Sequence, residues 1–188
     1  MMSPPESTSR FFIVLEGIDG TGKSTQAQRL AAILRERGAT VLLDFEPTAG
    51  PWGQKLRESA QSGRLSAAEE LEFFIQDRQQ HVAETIAPAL AAGQVVILDR
   101  YYFSNMAYQG ARGMDPAAIR RANESFAPVP DLLLLLDLPV EQALKRIQQR
   151  DLRTNLFETR ENLNRCRDIF LSLRNEPFCH VIDVNGDI

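Results

Sequence analysis

Short unbroken apolar runs alternate along the chain with longer stretches in which apolar residues recur every three or four positions. Phe11-Phe12-Ile13-Val14-Leu15 ends at Glu16-Gly17 and has the pattern of a strand buried on both faces. Residues 25–37 then place Ala27, Leu30, Ala31, Ile33 and Leu34 on a helical period closed by Gly38. Residues 40–45 read as a second strand. Residues 65–92 read as helix in two pieces, because Pro88 suits a helix start better than an interior. A third apolar run, Val95 to Leu98, follows Gly93 and ends at Asp99. The spacing predicts a helix over 115–126, with Asp115 as N-cap and Pro116 in its first turn. The leucines from Leu132 to Leu136 predict a fourth strand, 140–149 and 160–173 two further helices, and 180–184 a fifth strand. Strands alternating with helices imply an α/β protein with a parallel sheet covered on both faces.

Composition narrows this picture. The 188 residues are 44% hydrophobic and 24% charged, ordinary for a globular protein and enough for one domain over 11–188. A net charge of −4 disfavours a general nucleic-acid binder. The two cysteines, Cys166 and Cys179, form neither a metal-binding spacing nor a disulfide framework. No segment approaches the ~20 apolar residues of a membrane span. The first ten residues are polar and rich in Pro and Ser, and read as a flexible lead-in rather than a signal peptide. These features lead to the expectation of a cytoplasmic protein.

Chemistry enters at Gly17-Ile18-Asp19-Gly20-Thr21-Gly22-Lys23-Ser24, which satisfies G-x-x-x-x-G-K-[ST] between an apolar strand and a helix. Glycines let the backbone wrap so that successive N–H groups face phosphate oxygens, and the helix that follows, through Ser24 and Thr25, adds its positive end. Lys23 is placed to reach the β- and γ-phosphates, and the Ser24 hydroxyl to take one Mg²⁺ position. Asp99, where the third apolar run ends, stands where an acidic residue orients that Mg²⁺; a strand-end Asp capping the next turn is the plainer reading.

Beyond Asp99, the segment Arg100-Tyr101-Tyr102-Phe103-Ser104-Asn105-Met106-Ala107-Tyr108-Gln109-Gly110 combines a guanidinium, aromatics and amides. Such a set suits a pocket holding both a phosphate and a ring, with Arg100 as a planar fork of donors. Core packing is the alternative for Tyr101 to Phe103. Phe74 and Arg78 lie four apart in a helical pattern and share one face. They can stack on a base and bond its edge, or be a core Phe beside a snorkelling Arg.

Taken together, the phosphate loop, Glu46-Pro47-Thr48, Phe74-x-x-x-Arg78, Asp99-Arg100-Tyr101 and Ala107-Tyr108-Gln109-Gly110 resemble the bacterial thymidylate kinase family. The likeness covers about residues 11–184. It implies a three-layer P-loop NTPase fold with a five-stranded parallel sheet, ATP as donor and dTMP as acceptor, Mg²⁺, a role in dTTP biosynthesis and a homodimer. In that resemblance Phe74 stacks on thymine and Arg78 bonds its carbonyl edge. Arg100 and Arg57 grip the acceptor phosphate, and Asn105 and Gln109 contact the base. Tyr108 crowds the ribose 2′ position, Asp19 binds the acceptor sugar and helps place the metal, and Glu46 lies near the acceptor.

The chain also departs from the family pattern. Phe45 stands where many relatives have Arg, and Gly20 where one version of the family carries a phosphate-loop Arg. The balancing pattern implies catalytic arginines from a lid around residues 146–160, with Arg146, Arg150 and Arg153 as candidates, Arg153 first and Arg150 next. A solvated basic helix face is the other reading of all three. The usual lid sequence Asp-Arg-Phe-Glu is replaced by Asn155-Leu156-Phe157-Glu158. The chain stops at Ile188, where relatives usually continue into another helix. Competing functions are a P-loop kinase for another nucleoside monophosphate and a non-catalytic nucleotide-binding relative. A switch GTPase is disfavoured because no guanine-reading Asn-Lys-x-Asp segment occurs.

Overall fold

Five parallel strands, β1 (Phe11–Glu16), β2 (Val41–Phe45), β3 (Val95–Asp99), β4 (Leu132–Asp137) and β5 (Cys179–Asp183), form one sheet in the order β2-β3-β1-β4-β5. The computed structural model describes residues 10–63, 65–150 and 160–186. The flexible lead-in expected at the N-terminus, except for Arg10, and the core of the expected lid, 151–159, lie outside the described residues.

The continuous apolar runs become central strands because both of their faces are covered. In β1, Phe12 and Val14 point to one face and Ile13 and Leu15 to the other, and all four are buried. The first face packs, with Val96, Leu98, Leu133 and Leu135, against α5 (Tyr102–Ala111) and α8 (Arg160–Leu171). The second packs, with Val95 and Ile97, on Ala27 and Ala31 of α1 (Lys23–Glu36). Three layers result. Register puts Leu15 beside Asp99 and Glu16 beside Leu135, so the carboxyl ends of β1, β3 and β4 share one rim.

The remaining helices are α2 (Pro51–Ser62), α3 (Ala67–His81), α4 (Ala87–Ala91), α6 (Pro116–Glu124) and α7 (Val140–Arg150). Asp115 caps α6 by accepting from the Ala117 N–H at 2.9 Å, with Pro116 in the first turn, as its sequence predicts. Ser66 and Glu69 form a capping box at the start of α3. The helix expected over 65–92 has a π-helical turn, Val82–Ile86, between α3 and α4. Pro88 lies in the first turn of α4 and has no N–H to donate back to Glu84, which the wider turn accommodates. Two helices went unpredicted, α2 and α5; the second is the aromatic segment after Asp99.

Candidate active site

Two cavities open along the carboxyl rim of the sheet, and Asp19 and Arg100 line both. One, of about 480 Å³, lies where the phosphate cradle is expected. It is shaped by the loop between β1 and α1 and includes Gly20, Gly22, Lys23, Ser24 and Thr25. The loop turns through backbone conformations that a side chain resists: Gly17 has φ +142°, and a Cβ there would stand 2.3 Å from the Leu136 carbonyl oxygen. Ile18 is buried and its carbonyl accepts from Thr21 Oγ1 at 3.0 Å. Lys23 is also buried, and its Nζ donates to the Gly17 and Ile18 carbonyls at 2.9 Å each. Burial and the neighbouring Arg100 push its pKa down, while Asp19, Asp99 and Glu16 work the other way.

Ser24 Oγ donates to Asp99 Oδ2 across the cradle, whereas Asp99 Oδ1 is buried with no hydrogen-bond partner among the described residues. An orphaned carboxylate oxygen beside a hydroxyl on the phosphate loop fits a divalent cation. No cluster of three or more His, Cys, Asp and Glu among the described residues could hold a metal ion.

The second cavity, of about 280 Å³, is lined by all nine residues expected around the acceptor: Asp19, Glu46, Arg57, Phe74, Arg78, Arg100, Asn105, Tyr108 and Gln109. Phe74 is half-buried at its wall. Arg78 is not a snorkelling surface residue. It is 1% exposed, with Nε donating to Glu46 Oε2 at 2.8 Å, Nη1 to Asn123 Oδ1 at 2.6 Å and Nη2 to Asn105 Oδ1 at 2.8 Å. Asn105 Nδ2 donates to Gln109 Oε1 at 3.1 Å, which extends the chain of bonds along α5. Arg57 is exposed and donates to the Pro47 and Thr48 carbonyls at 3.1 and 2.7 Å. Tyr101, Tyr102 and Phe103 are wholly buried, the packing role their apolar character allowed.

Between the cavities, Arg100 donates to Asp19, and the Tyr108 hydroxyl donates to the other Asp19 oxygen at 2.9 Å. Burial works against the Asp19 charge, but Arg100 and Lys23 outweigh it and hold the carboxyl well below its ordinary range. The backbone at Arg100 has φ +73°, a left-handed conformation costly for a side-chain-bearing residue. Glu16 supports it. The carboxylate is fully buried and accepts from the Tyr101 N–H at 2.8 Å, the Ser104 N–H at 3.0 Å and the Ser104 hydroxyl at 2.7 Å. Glu16 thus caps α5 from a neighbouring strand, and burial pushes its pKa up despite Arg100 nearby.

Sequence reasoning missed Glu16; its one available signal was a charge closing an apolar strand. It also missed Asp77, which accepts from the Thr48 N–H, the Thr48 hydroxyl and the Gly53 N–H at 2.7, 2.6 and 3.1 Å, tying α2 and therefore Arg57 to α3. Of the lid arginines, Arg153 and the Arg150 side chain lie outside the described residues. Arg146 lines the phosphate cradle and donates to the Val184 and Gly186 carbonyls at 3.0 and 2.7 Å.

Comparison with known proteins gives a consistent picture. A family model described as thymidylate kinase matches residues 15–188. The thymidylate kinase of Xanthomonas campestris pv. campestris strain B100 is 55% identical over 175 residues, spanning 93% of this chain and 76% of that protein. The thymidylate kinase of Akkermansia muciniphila is 56% identical over 174 residues, 93% of this chain and 84% of that protein. A crystal structure of thymidylate kinase from Ehrlichia chaffeensis matches with a TM-score of 0.76 at 31% identity, covering 93% of this chain and 91% of that one. With a phosphate cradle and a ring-sized cavity meeting at Asp19 and Arg100, and a family match over most of its length, the chain belongs to the thymidylate kinase family.

Proposed function

We propose that this chain transfers the γ-phosphoryl group of ATP to dTMP, giving dTDP and ADP on the route to dTTP. The observation that carries this reading is the shared wall: Arg100 and Asp19 border both cavities, so a donor phosphate and an acceptor phosphate can meet there. An acceptor phosphate oxygen attacks the γ-phosphorus while the bond to the β–γ bridging oxygen breaks, and ADP leaves. The attacking oxygen is already anionic, so no general base is needed.

Each side chain has a part in this scheme. The loop N–H groups from Gly17 to Thr25 and Lys23 bind the donor phosphates. Arg100 and Arg57 aim the acceptor phosphate, and Arg100 exchanges Asp19 for that phosphate when dTMP enters. Phe74 stacks on the base, Arg78, Asn105 and Gln109 read its edge, and Tyr108 and Asp19 meet the sugar. Glu46 holds Arg78 from behind. Arg153 and Arg150 neutralise charge on the transferred group from a lid over 146–160, and closure excludes water. Ser24 and Asp99 would hold Mg²⁺, which would supply charge neutralisation for the phosphates.

The reading extends, with the family it resembles, to a homodimer in the cytoplasm. Among the described residues no helix is long and apolar enough to cross a membrane. Purified protein with ATP and Mg²⁺, assayed for ADP release against a panel of monophosphates, tests the function. Turnover dependent on dTMP is expected; preference for CMP or GMP would overturn it. Sedimentation tests the dimer.

A further inference from the structure

Behind the acceptor cavity lies a residue that neither the phosphate cradle nor the cavity wall includes. His81 is the last residue of α3, one turn beyond Arg78, and is 4% exposed. Its Nδ1 stands 3.1 Å from Glu46 Oε1, and its Nε2 3.3 Å from Asp44 Oδ2. Both neighbours are carboxylate oxygens, which only accept when ionised. A neutral imidazole would turn a lone pair toward one of them; a ring donating from both nitrogens satisfies both. The ring is therefore an imidazolium, and the charges balance. Arg78 and His81 on one helix face meet Asp44 and Glu46 at the end of β2.

Glu46 is the pivot of this group. It is buried, with one oxygen on His81 and the other on Arg78. Without His81, Glu46 Oε1 would be a buried anionic oxygen with its partner gone, and the carboxylate would shift to recover one. Any shift moves the one charged acceptor among the three, with Asn123 and Asn105, that orient the Arg78 guanidinium. A guanidinium only donates, so it suits a pyrimidine edge carrying a carbonyl and not one carrying an amino group at the same place.

We propose that His81 is a positioning residue for acceptor recognition: braced by Asp44, it fixes Glu46 and through it Arg78, so that preference for a carbonyl-edged over an amino-edged pyrimidine monophosphate depends on it. This rests on the acceptor reading given above.

The test measures equilibrium binding of dTMP and dCMP, without ATP, to the wild type, His81→Ala and His81→Gln, with steady-state turnover and ATP KM alongside. In His81→Ala, dTMP binding should weaken about tenfold and the dTMP-over-dCMP ratio should fall about tenfold, a little under the value of one direct hydrogen bond to a charged group because His81 acts through Glu46. ATP KM should stay unchanged. His81→Gln, which can still donate to Glu46, should recover part of both. Unchanged selectivity in the variants, an equal loss for dTMP, dCMP and ATP, or a wild type that binds the two monophosphates alike would overturn the inference. If His81→Ala does not fold, His81→Gln decides by the same ratio. A wild type that binds dTMP selectively yet never releases ADP would instead sink the proposed function and leave the positioning role standing.

Discussion

The two halves of the site are made of different material. The proposed donor cradle is mostly backbone: an eight-residue motif in which Gly17 to Gly22 form the loop and Lys23 and Ser24 begin α1, with glycines and N–H groups suited to phosphate. The acceptor cavity is side chains from α2, α3, α5 and the segments after β1, β2 and β3, braced by buried carboxylates and amides of which Glu46 and Asn105 also line it. A backbone site is broken chiefly through conformation. A side-chain site can be dismantled one contact at a time.

The largest expected effect lies on the wall between them. Arg100→Ala removes the guanidinium that both cavities share and also its bond to Asp19. Turnover with dTMP should fall on the order of a thousandfold, about 4 kcal/mol of transition-state stabilisation. ATP affinity, followed by titration without acceptor, should change little because the loop N–H groups and Lys23 remain. Near-normal turnover would mean that Arg100 does not serve the acceptor.

The cradle should break differently. Gly17→Ala keeps every charged group but puts a Cβ into the left-handed region at φ +142° and 2.3 Å from a backbone oxygen. A clash with backbone cannot be relieved by rotating a side chain. The cost should be roughly 3 kcal/mol, or a thermal midpoint lower by ~10 °C, with ATP binding lost in step. An unaltered midpoint would show that the loop can refit.

This difference also explains what was legible in the sequence. The cradle is local, so a motif eight residues long reveals it. The central strands are equally plain, because burial on both faces makes them apolar throughout. Helix α5 was hidden for the opposite reason: Tyr102, Phe103, Asn105, Met106, Ala107, Gln109 and Ala111 are all buried, so the helix shows no polar stripe to mark its period. Helix α2 has few apolar anchors, with Leu56 buried and much of its surface exposed. Phe74 and Arg78 stood out as a helical pair, but only resemblance chose base contact over core packing for them, and it alone gave Asn105 its role. Glu16, Asp77 and His81 act on partners 85, 29 and 35 positions away, which no local pattern encodes.

One of those supports gives a pH test that separates the two halves. In the folded protein burial disfavours the His81 charge, but Asp44 and Glu46 outweigh it and raise the pKa from 6.5 to about 9. The folded state therefore holds this proton more tightly than the unfolded chain. Its contribution is complete below pH 6.5 and is lost as pH rises through about 9, on the order of 3 kcal/mol. Lys23, pushed down by burial, titrates with the opposite sign in the alkaline range. The informative quantity is thus the difference between wild type and His81→Gln in denaturant melts. That difference should shrink steadily from pH 6.5 to above 9; a constant difference would mean that His81 is neutral in the fold.

The smallest effect should belong to Phe74, and it sharpens the contrast most. The ring is half-buried at the cavity wall and forms no part of the charged network behind it, so Phe74→Ala leaves Arg78, Glu46 and His81 in place. What it removes is a flat apolar surface, worth about 1–3 kcal/mol where an aromatic stacks on a base. The KM for dTMP should rise about tenfold, while kcat at saturating dTMP and the KM for ATP stay near wild type. That split follows from the geometry: stacking is made equally in the ground and transition states and so acts on binding alone. A matching rise in both KM values would mean that the ring stabilises the fold as a whole. A fall in kcat alone would mean that it orients the acceptor phosphate through the base, and the side-chain half of the site would then be coupled to the reacting atoms more tightly than its lining implies.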